Sequence, residues 1–222
     1  VMRNAIKYFV GVTYKPLVVK HLSKTRNYQH DGIKLVIPPE VFHPGFFFST
    51  KLLLKYLARY PLKEKTFLEL GAGSGLIAIS AAKKGADVTA TDINPIAVKF
   101  LTRNCEANNV RVNIILSDLF QNISHQYFDF IAINPPYYKK QPNTYKDYSW
   151  YCGENGEYFH VLFGSLRHYM HSDSTVLMIL CDGCDMEMIQ TIAGKNGFHL
   201  NLVYSRKNLL EENFIFQIKK RE

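Results

Sequence analysis

The 222-residue chain predicts a doubly wound α/β fold, and three observations carry the prediction. From residue 66 onward, strand-like and helix-like segments alternate. A glycine-rich turn, Gly71-Ala72-Gly73-Ser74-Gly75, joins the first of these strands to the first of these helices. Near the C-terminal end, two strand-like runs follow each other with no helix between them. Alternation calls for a mostly parallel sheet covered by helices on both faces. The consecutive pair predicts an antiparallel hairpin at one edge.

Residues 1–45 read as a small basic extension, and 46–222 as the main domain. Within the extension, Leu17-Val18-Val19 and Ile33-Lys34-Leu35-Val36-Ile37 are short strand-like runs and predict a hairpin. Pro38-Pro39 ends the second run. Residues 46–60 have helical spacing, with Leu53, Tyr56, Leu57 and Tyr60 on one side, and Pro61 stops them. The core then reads as strand 66–70, helix 75–84 and strand 87–91. Asn94 is placed as an N-cap with Pro95 at the first helical position, and the helix runs to 107. Strands follow at 111–116 and 128–133, a helix at 157–170, a strand at 175–180 and a helix at 185–195. The last strands are 198–204 and 213–219, which makes seven strands in the main sheet.

Composition narrows the function classes. An apolar content of 47% suits a globular domain. No apolar run approaches the ~20 residues of a membrane helix, so no membrane partner is expected. Met2 to Val10 carries two charges and no small-residue cleavage site, which points to a cytoplasmic protein. Four cysteines are too few for a disulfide scaffold in a chain this long. Cys181-Asp182-Gly183-Cys184 has metal-like spacing but no second pair completes it, so no metal is assigned.

Net charge is +8 and the pI near 9.2. Residues 1–35 hold seven basic side chains against one acid, Asp31, whereas the remainder is nearly balanced. This N-terminal field suits a polyanion such as RNA or a ribonucleoprotein, or simply a solvated basic surface.

The glycine turn lies where a doubly wound sheet binds its ligand, at the carboxyl ends of the strands. Its spacing is G-x-G-x-G, with Leu76 where a dinucleotide fingerprint needs its third glycine. That spacing disfavours a pyrophosphate, and an oxidoreductase reading with it. Glu69 before the first glycine suits a cationic ligand group instead. Asp92 ends the second strand and can accept both hydroxyls of a ribose. Asp118 follows the third strand and can receive an exocyclic amine, with Leu119 and Phe120 as an apolar wall for a purine.

In order and spacing, residues 66–220 resemble the class I S-adenosylmethionine-dependent methyltransferases. The resemblance implies a Rossmann-like fold with S-adenosylmethionine as cofactor. By the resemblance Gly71 and Gly73 would lie against the methionine part, Asp92 at the ribose and Asp118 near the adenine, with Glu69, Gly75, Ile93, Leu119 and Asn134 also expected to bind the cofactor.

Asn134-Pro135-Pro136-Tyr137 follows an apolar run at the mouth of the sheet. In this place it is similar to the motif of N-methyltransferases acting on planar nitrogens: glutamine amides, adenine N6 and guanine N2. The Asn134 side-chain oxygen and the Pro135 carbonyl would each accept one N–H of the target. Proline's fixed φ keeps these acceptors rigid, and the Tyr137 ring would stack on the flat target. Positioning and electrostatics would supply most of the rate, and neither a strong base nor a covalent nucleophile is assigned.

Two further segments bear on the substrate. Val41-Phe42-His43-Pro44 through Ser49-Thr50 resembles the segment ahead of the core in release-factor glutamine methyltransferases and their RNA-modifying relatives. Ser49 stands where Asp is frequent, so no cofactor contact is assigned to Thr50. Gly153 to Phe159 resembles a second segment of the same enzymes, with Asn155 in place of an acid. Against these, Tyr138, Lys139, Lys140, Tyr145, Lys146, Tyr148 and Trp150 interleave aromatics with lysines, a pattern that stacks bases and meets phosphates, or that lines a merely solvated loop. The family segments tip the expectation towards a glutamine in a release-factor-like protein. An RNA or DNA base is the alternative, and a catalytically silent RNA-binding relative the third reading.

Overall fold

The computed structural model describes residues 22–221. A two-stranded antiparallel hairpin, β1 (Arg26–His30) and β2 (Ile33–Ile37), precedes helix α1 (Phe48–Leu57). The core runs β3 (Thr66–Leu70), α2 (Leu76–Lys83), β4 (Asp87–Asp92), α3 (Pro95–Ala107), β5 (Asn113–Leu116) and β6 (Phe130–Ile133). It continues with α4 (Glu157–Leu166), β7 (Thr175–Cys181), α5 (Met186–Lys195), β8 (Phe198–Lys207) and β9 (Glu212–Lys220).

The seven main strands lie in the order β5-β4-β3-β6-β7-β9-β8. Strands β3 to β7 are parallel, and β9 is antiparallel to both β7 and β8. This is the mostly parallel doubly wound sheet with the antiparallel edge that the alternation implies. Both faces of the central strands β3, β6 and β7 are buried, and side chains divide by parity. Phe67, Ala132 and Leu177 face a core with α1, α2 and α3. Leu68, Leu70, Ile131 and Ile133 face a second core with α4 and α5. Burial on both faces explains why these strands read as apolar runs rather than as alternating ones.

Strand order reverses at β3, which pairs with β4 on one side and β6 on the other. Leu70 is in register with Ile133, so the glycine turn after β3 and Asn134 after β6 leave the sheet side by side. Helix α3 starts as the sequence indicates: the Asn94 side chain accepts from Ile96 N at 2.9 Å, with Pro95 in the first turn.

The hairpin differs from the expectation. The partner of β2 is β1, and the Leu17–Val19 run lies outside the described residues. The cause is local. Asp31 and Gly32 both take positive φ, 45° and 77°, the two-residue turn that Asp-Gly favours between strands. Beyond the turn, Asn104 and Asn108, one helical turn apart on α3, act as a surrogate strand along β2. Asn104 Oδ1 accepts from Val36 N at 2.8 Å and Asn108 Oδ1 from Lys34 N at 3.0 Å. Their amide nitrogens donate to the carbonyls of Val36 and Lys34. Asn104 also donates to Ser74 O at 2.9 Å, which ties the hairpin to the glycine turn.

Candidate functional site

A cavity opens at the carboxyl ends of β3, β4 and β6. Its walls include Gly71, Gly73, Asp92, Ile93, Asp118, Leu119 and Asn134-Pro135-Pro136-Tyr137. The three acids of the three strand ends are brought together there, Glu69 included, and no lysine, arginine or histidine lines the cavity among the described residues.

Each wall has its own local cause. Gly71 and Gly73 take φ of 71° and 54°, and a Cβ on Gly71 would project into open space. A ligand can therefore approach that backbone closely. Gly75 does something else. It is absent from the lining, it sits at φ 87° before α2, and a Cβ there would overlap Leu101 Cδ1. The third glycine thus serves helix packing.

Asp92 braces two turns. Its Oδ2 accepts from Gly73 N at 2.8 Å and its Oδ1 from Asn94 N at 2.9 Å. Each oxygen keeps a second lone pair for a hydroxyl. Burial raises its pKa, against the pull of these backbone amides. Glu69 is buried, and its Oε2 accepts from Ala78 N in the first turn of α2 at 2.7 Å. Burial pushes its carboxyl up to about 8, with a contribution from Asp92. Asp118 also titrates high because of burial, and its carboxylate makes no hydrogen bond among the described residues. Next to it Leu119 holds φ at 46°, an uncommon conformation for leucine. Ser117 supports that turn: its hydroxyl donates to Leu119 O and accepts from Asn122 N, both at 3.0 Å.

Asn134 is oriented by residues distant in sequence. Its Nδ2 lies 3.3 Å from Ser49 Oγ and 3.2 Å from Thr50 Oγ1, both on the first turn of α1. Its Oδ1 and the Pro135 carbonyl take no donor among the described residues. Thr50 lines the cavity, although Ser49 at the position where Asp is frequent had argued against assigning it.

The segment 138–151 is folded back rather than merely solvated. Isolated bridges join Tyr138 to Tyr151 and Lys140 to Gly153. The Trp150 carbonyl accepts from both Tyr137 N and Tyr138 N, at 3.2 and 2.9 Å. The Trp150 ring packs on Phe42 and Phe47, with centroids 5.3 and 4.8 Å away. Tyr145, Tyr148 and Trp150 thereby reach the cavity mouth. Two of the three lysines of the phosphate reading are engaged within the protein, Lys139 with Asp185 at 3.0 Å and Lys140 over the Tyr151 ring, while Lys146 is exposed. The Tyr137 hydroxyl is buried beside the Cys181 thiol, and burial pushes its pKa up.

Ser117 lines the cavity without a sequence signal of its own. Tyr158 also lines the cavity, inside a segment noted only for its family pattern. It sits near Asp118 and Asp92, and burial raises the pKa of its hydroxyl.

Known proteins resemble this chain in sequence and in fold. A Methanocaldococcus jannaschii protein named, provisionally, as a protein N5-glutamine methyltransferase is 47% identical over 108 residues, 48% of this chain and 52% of that one. A release factor glutamine methyltransferase of Salmonella typhimurium is 42% identical over 93 residues, 40% of this chain and 34% of that one. The chain therefore spans about half or less of these relatives' length. Among solved structures, the Thermus thermophilus 16S rRNA N2 G1207 methyltransferase, in complex with AdoMet and guanosine, superposes with a TM-score of 0.65. It shares 17% identity over 90% of this chain and 50% of that one, a likeness of fold. No helix among the described residues is long and apolar enough to cross a membrane. Residues 32–150, more than half of the chain, match the methyltransferase small domain, and the chain belongs to that family.

Proposed function

We propose that the protein transfers a methyl group from S-adenosylmethionine to a planar amide or exocyclic amino nitrogen, and that its natural acceptor is a glutamine side chain in a protein of the release-factor type. One observation carries the reading: the two acceptors that would hold such a nitrogen, Asn134 Oδ1 and the Pro135 carbonyl, take no donor among the described residues and lie beside a cavity rich in acid.

The residues present fit the cofactor. It supplies a methyl group activated on a cationic sulfonium. A cavity lined by Glu69, Asp92 and Asp118, and by no basic side chain among the described residues, suits a cation and repels a phosphate. Gly71 leaves room for close approach. Asp92 would hold the ribose hydroxyls, Ile93 and Leu119 the flat faces of the base, and Asp118 its amine. Glu69, with a carboxyl that titrates near 8, would ionise on meeting an ammonium.

The chain's own work on the acceptor is positioning. A planar nitrogen is a poor nucleophile because its lone pair is delocalised. Two acceptors at fixed positions would draw its N–H groups to one side and turn the lone pair towards the methyl. Pro135 and Pro136 hold that backbone rigid, and the Trp150 carbonyl fixes Tyr137 from behind. The glutamine relatives favour the protein substrate. A base nitrogen in nucleic acid is the second reading, favoured by Tyr145, Tyr148 and Trp150 at the mouth.

The test is incorporation of label from methyl-labelled cofactor into an extract of source cells. Label removed by protease and retained through nuclease supports the glutamine reading. Label removed by nuclease turns the reading to nucleic acid, and no incorporation under conditions of measured cofactor binding refutes methyl transfer.

A further inference from the structure

A second cleft lies on the α1 face of the sheet, between the hairpin, α1, the C-terminal end of α2 and β8. His30, Lys51, Lys55, Lys83, Lys84 and Arg206 line it, against one acid, Asp31. It is comparable in size with the cavity at the strand ends: with their open mouths they enclose about 1240 and 1080 Å³. The near balance of charge over residues 36–222 conceals this concentration, because its cations come from three elements far apart in sequence.

We propose that this cleft binds the phosphate backbone of single-stranded RNA. None of its five lysine and arginine side chains makes an ion pair among the described residues, while Asp31 is 86% exposed and paired with His30. Lys55, Lys83, Lys84 and Arg206 are exposed. Four of the five cations therefore face solvent, Lys51 donates to Gly45 O at 3.3 Å, and no carboxylate neutralises any of them among the described residues. Such a cluster is a footprint for a polyanion. Residues 1–21 bring four more basic side chains and no acid, so charge disfavours that segment as the occupant.

Aromatic rings separate RNA from an acidic protein. Lys51 lies over the Tyr28 ring at 5.9 Å and Arg206 over Phe48 at 5.3 Å. One turn beyond Lys55, Arg59 sits over both Tyr56 and Tyr204, at 4.9 and 5.1 Å. Of these rings Phe48 lines the cleft itself, and Tyr28, Tyr56 and Tyr204 lie outside its lining; cations interleaved with rings suit phosphates and bases together, whereas an acidic peptide needs the cations alone. The cleft also borders the cavity directly: Phe48 and Lys51 line the one, and Ser49 and Thr50 the other. A strand lying in the cleft would pass within one helical turn of Asn134, and would hold the protein on an RNA surface while its acceptor is presented.

The test is fluorescence anisotropy with a labelled 12-nucleotide single-stranded RNA of mixed sequence, titrated over a range of salt. Five phosphate contacts give a slope of log affinity against log salt of about −3.5. The triple variant Lys55→Glu/Lys83→Glu/Arg206→Glu should lose about tenfold or more in affinity and flatten the slope by about two. The corresponding Gln triple variant should show a smaller loss in the same direction. Both variants should keep the wild-type cofactor affinity and melting temperature. The Gln variant decides the matter if the Glu variant does not fold. Unchanged RNA binding in a folded triple variant overturns the proposal, as does absence of binding by the wild type. Equal binding of a labelled polyglutamate of the same length also overturns it, in favour of an acidic protein partner. The readout is binding alone, so it stands or falls apart from methyl transfer.

Discussion

Asn134→Ala is the most direct perturbation of the proposed acceptor clamp. The substitution removes Oδ1, one of two acceptors for the target N–H groups, and leaves the Pro135 carbonyl in place. Losing one preorganised polar contact at a reacting centre costs about 2.7–4 kcal/mol, or roughly 10²–10³ in turnover. Cofactor affinity should hold, because the Asp92 contacts that shape its site are untouched. The structure supplies a finer gradation. Ser49 and Thr50 hold the Asn134 amide through two neutral hydrogen bonds of 3.3 and 3.2 Å. Each is worth about 0.5–1.5 kcal/mol. Ser49→Ala/Thr50→Val keeps the clamp but lets it swing, so turnover should fall by roughly 5- to 150-fold. The assay is initial-rate incorporation of labelled methyl into the responsive fraction of the extract, with the cofactor dissociation constant measured by calorimetry. Turnover in Asn134→Ala within twofold of wild type would refute the clamp. A loss matched by an equal loss of cofactor affinity would show instead that Asn134 serves the cofactor.

Other expectations separate the roles of neighbouring residues. Asp92→Ala removes two charge-assisted bonds to backbone amides and should weaken cofactor binding about 10- to 100-fold by calorimetry. Gly75→Ala should lower the melting temperature by at least about 5 °C, through positive φ and overlap with Leu101. Gly71→Ala has open space and should instead lose cofactor affinity with a smaller change in melting temperature. Glu69 has a folded pKa of about 8 against an ordinary 4.5, so the folded state holds its proton more tightly than the unfolded chain. Stability present below pH 4.5 is then lost as pH rises towards 8, with a ceiling of about 5 kcal/mol. Urea midpoints of the ligand-free protein should fall between pH 5 and pH 8, and Glu69→Gln should flatten that fall. Trp150→Ala removes the ring that seats on Phe42 and Phe47, and limited proteolysis should then cut within 138–151 faster than in the wild type.

What the sequence makes legible here follows from what is local. Strands β3, β6 and β7 are buried on both faces, so their apolar runs stand out, and each acid or turn motif follows directly on its strand. Asn94 and Pro95 start α3 by contacts within two residues. The misplaced hairpin partner was also a local matter. Asp31-Gly32 is a strong hairpin signal, but Arg26–His30 has only polar and half-buried side chains and does not look like a strand. Its residues extend because Ile33, Leu35 and Ile37 are buried opposite, and because two asparagines on α3 satisfy the other edge of β2.

The parts that were not legible depend on contacts between distant segments. Gly71, Gly73 and Gly75 look alike as a spacing. Only Leu101, on the next helix, turns the third into a packing position. The Asn134 amide meets hydroxyls 84 and 85 residues earlier, on a helix whose sequence reads as ordinary amphipathic structure. The basic cleft assembles α1, α2 and β8, so a running charge balance averages it away. The sheet order decides what such segments can do. Because β3 lies between β4 and β6, the turn at Gly71 and the turn at Asn134 emerge as neighbours, and α1 can cross the gap between them. Its residues 49 and 50 then face the cavity while 48 and 51 face the cleft. Any shift of α1 on ligand binding in the cleft would also move the hydroxyls that orient Asn134. Occupancy of the cleft and the rate at Asn134 should therefore be coupled through α1, by at most the worth of its two hydrogen bonds.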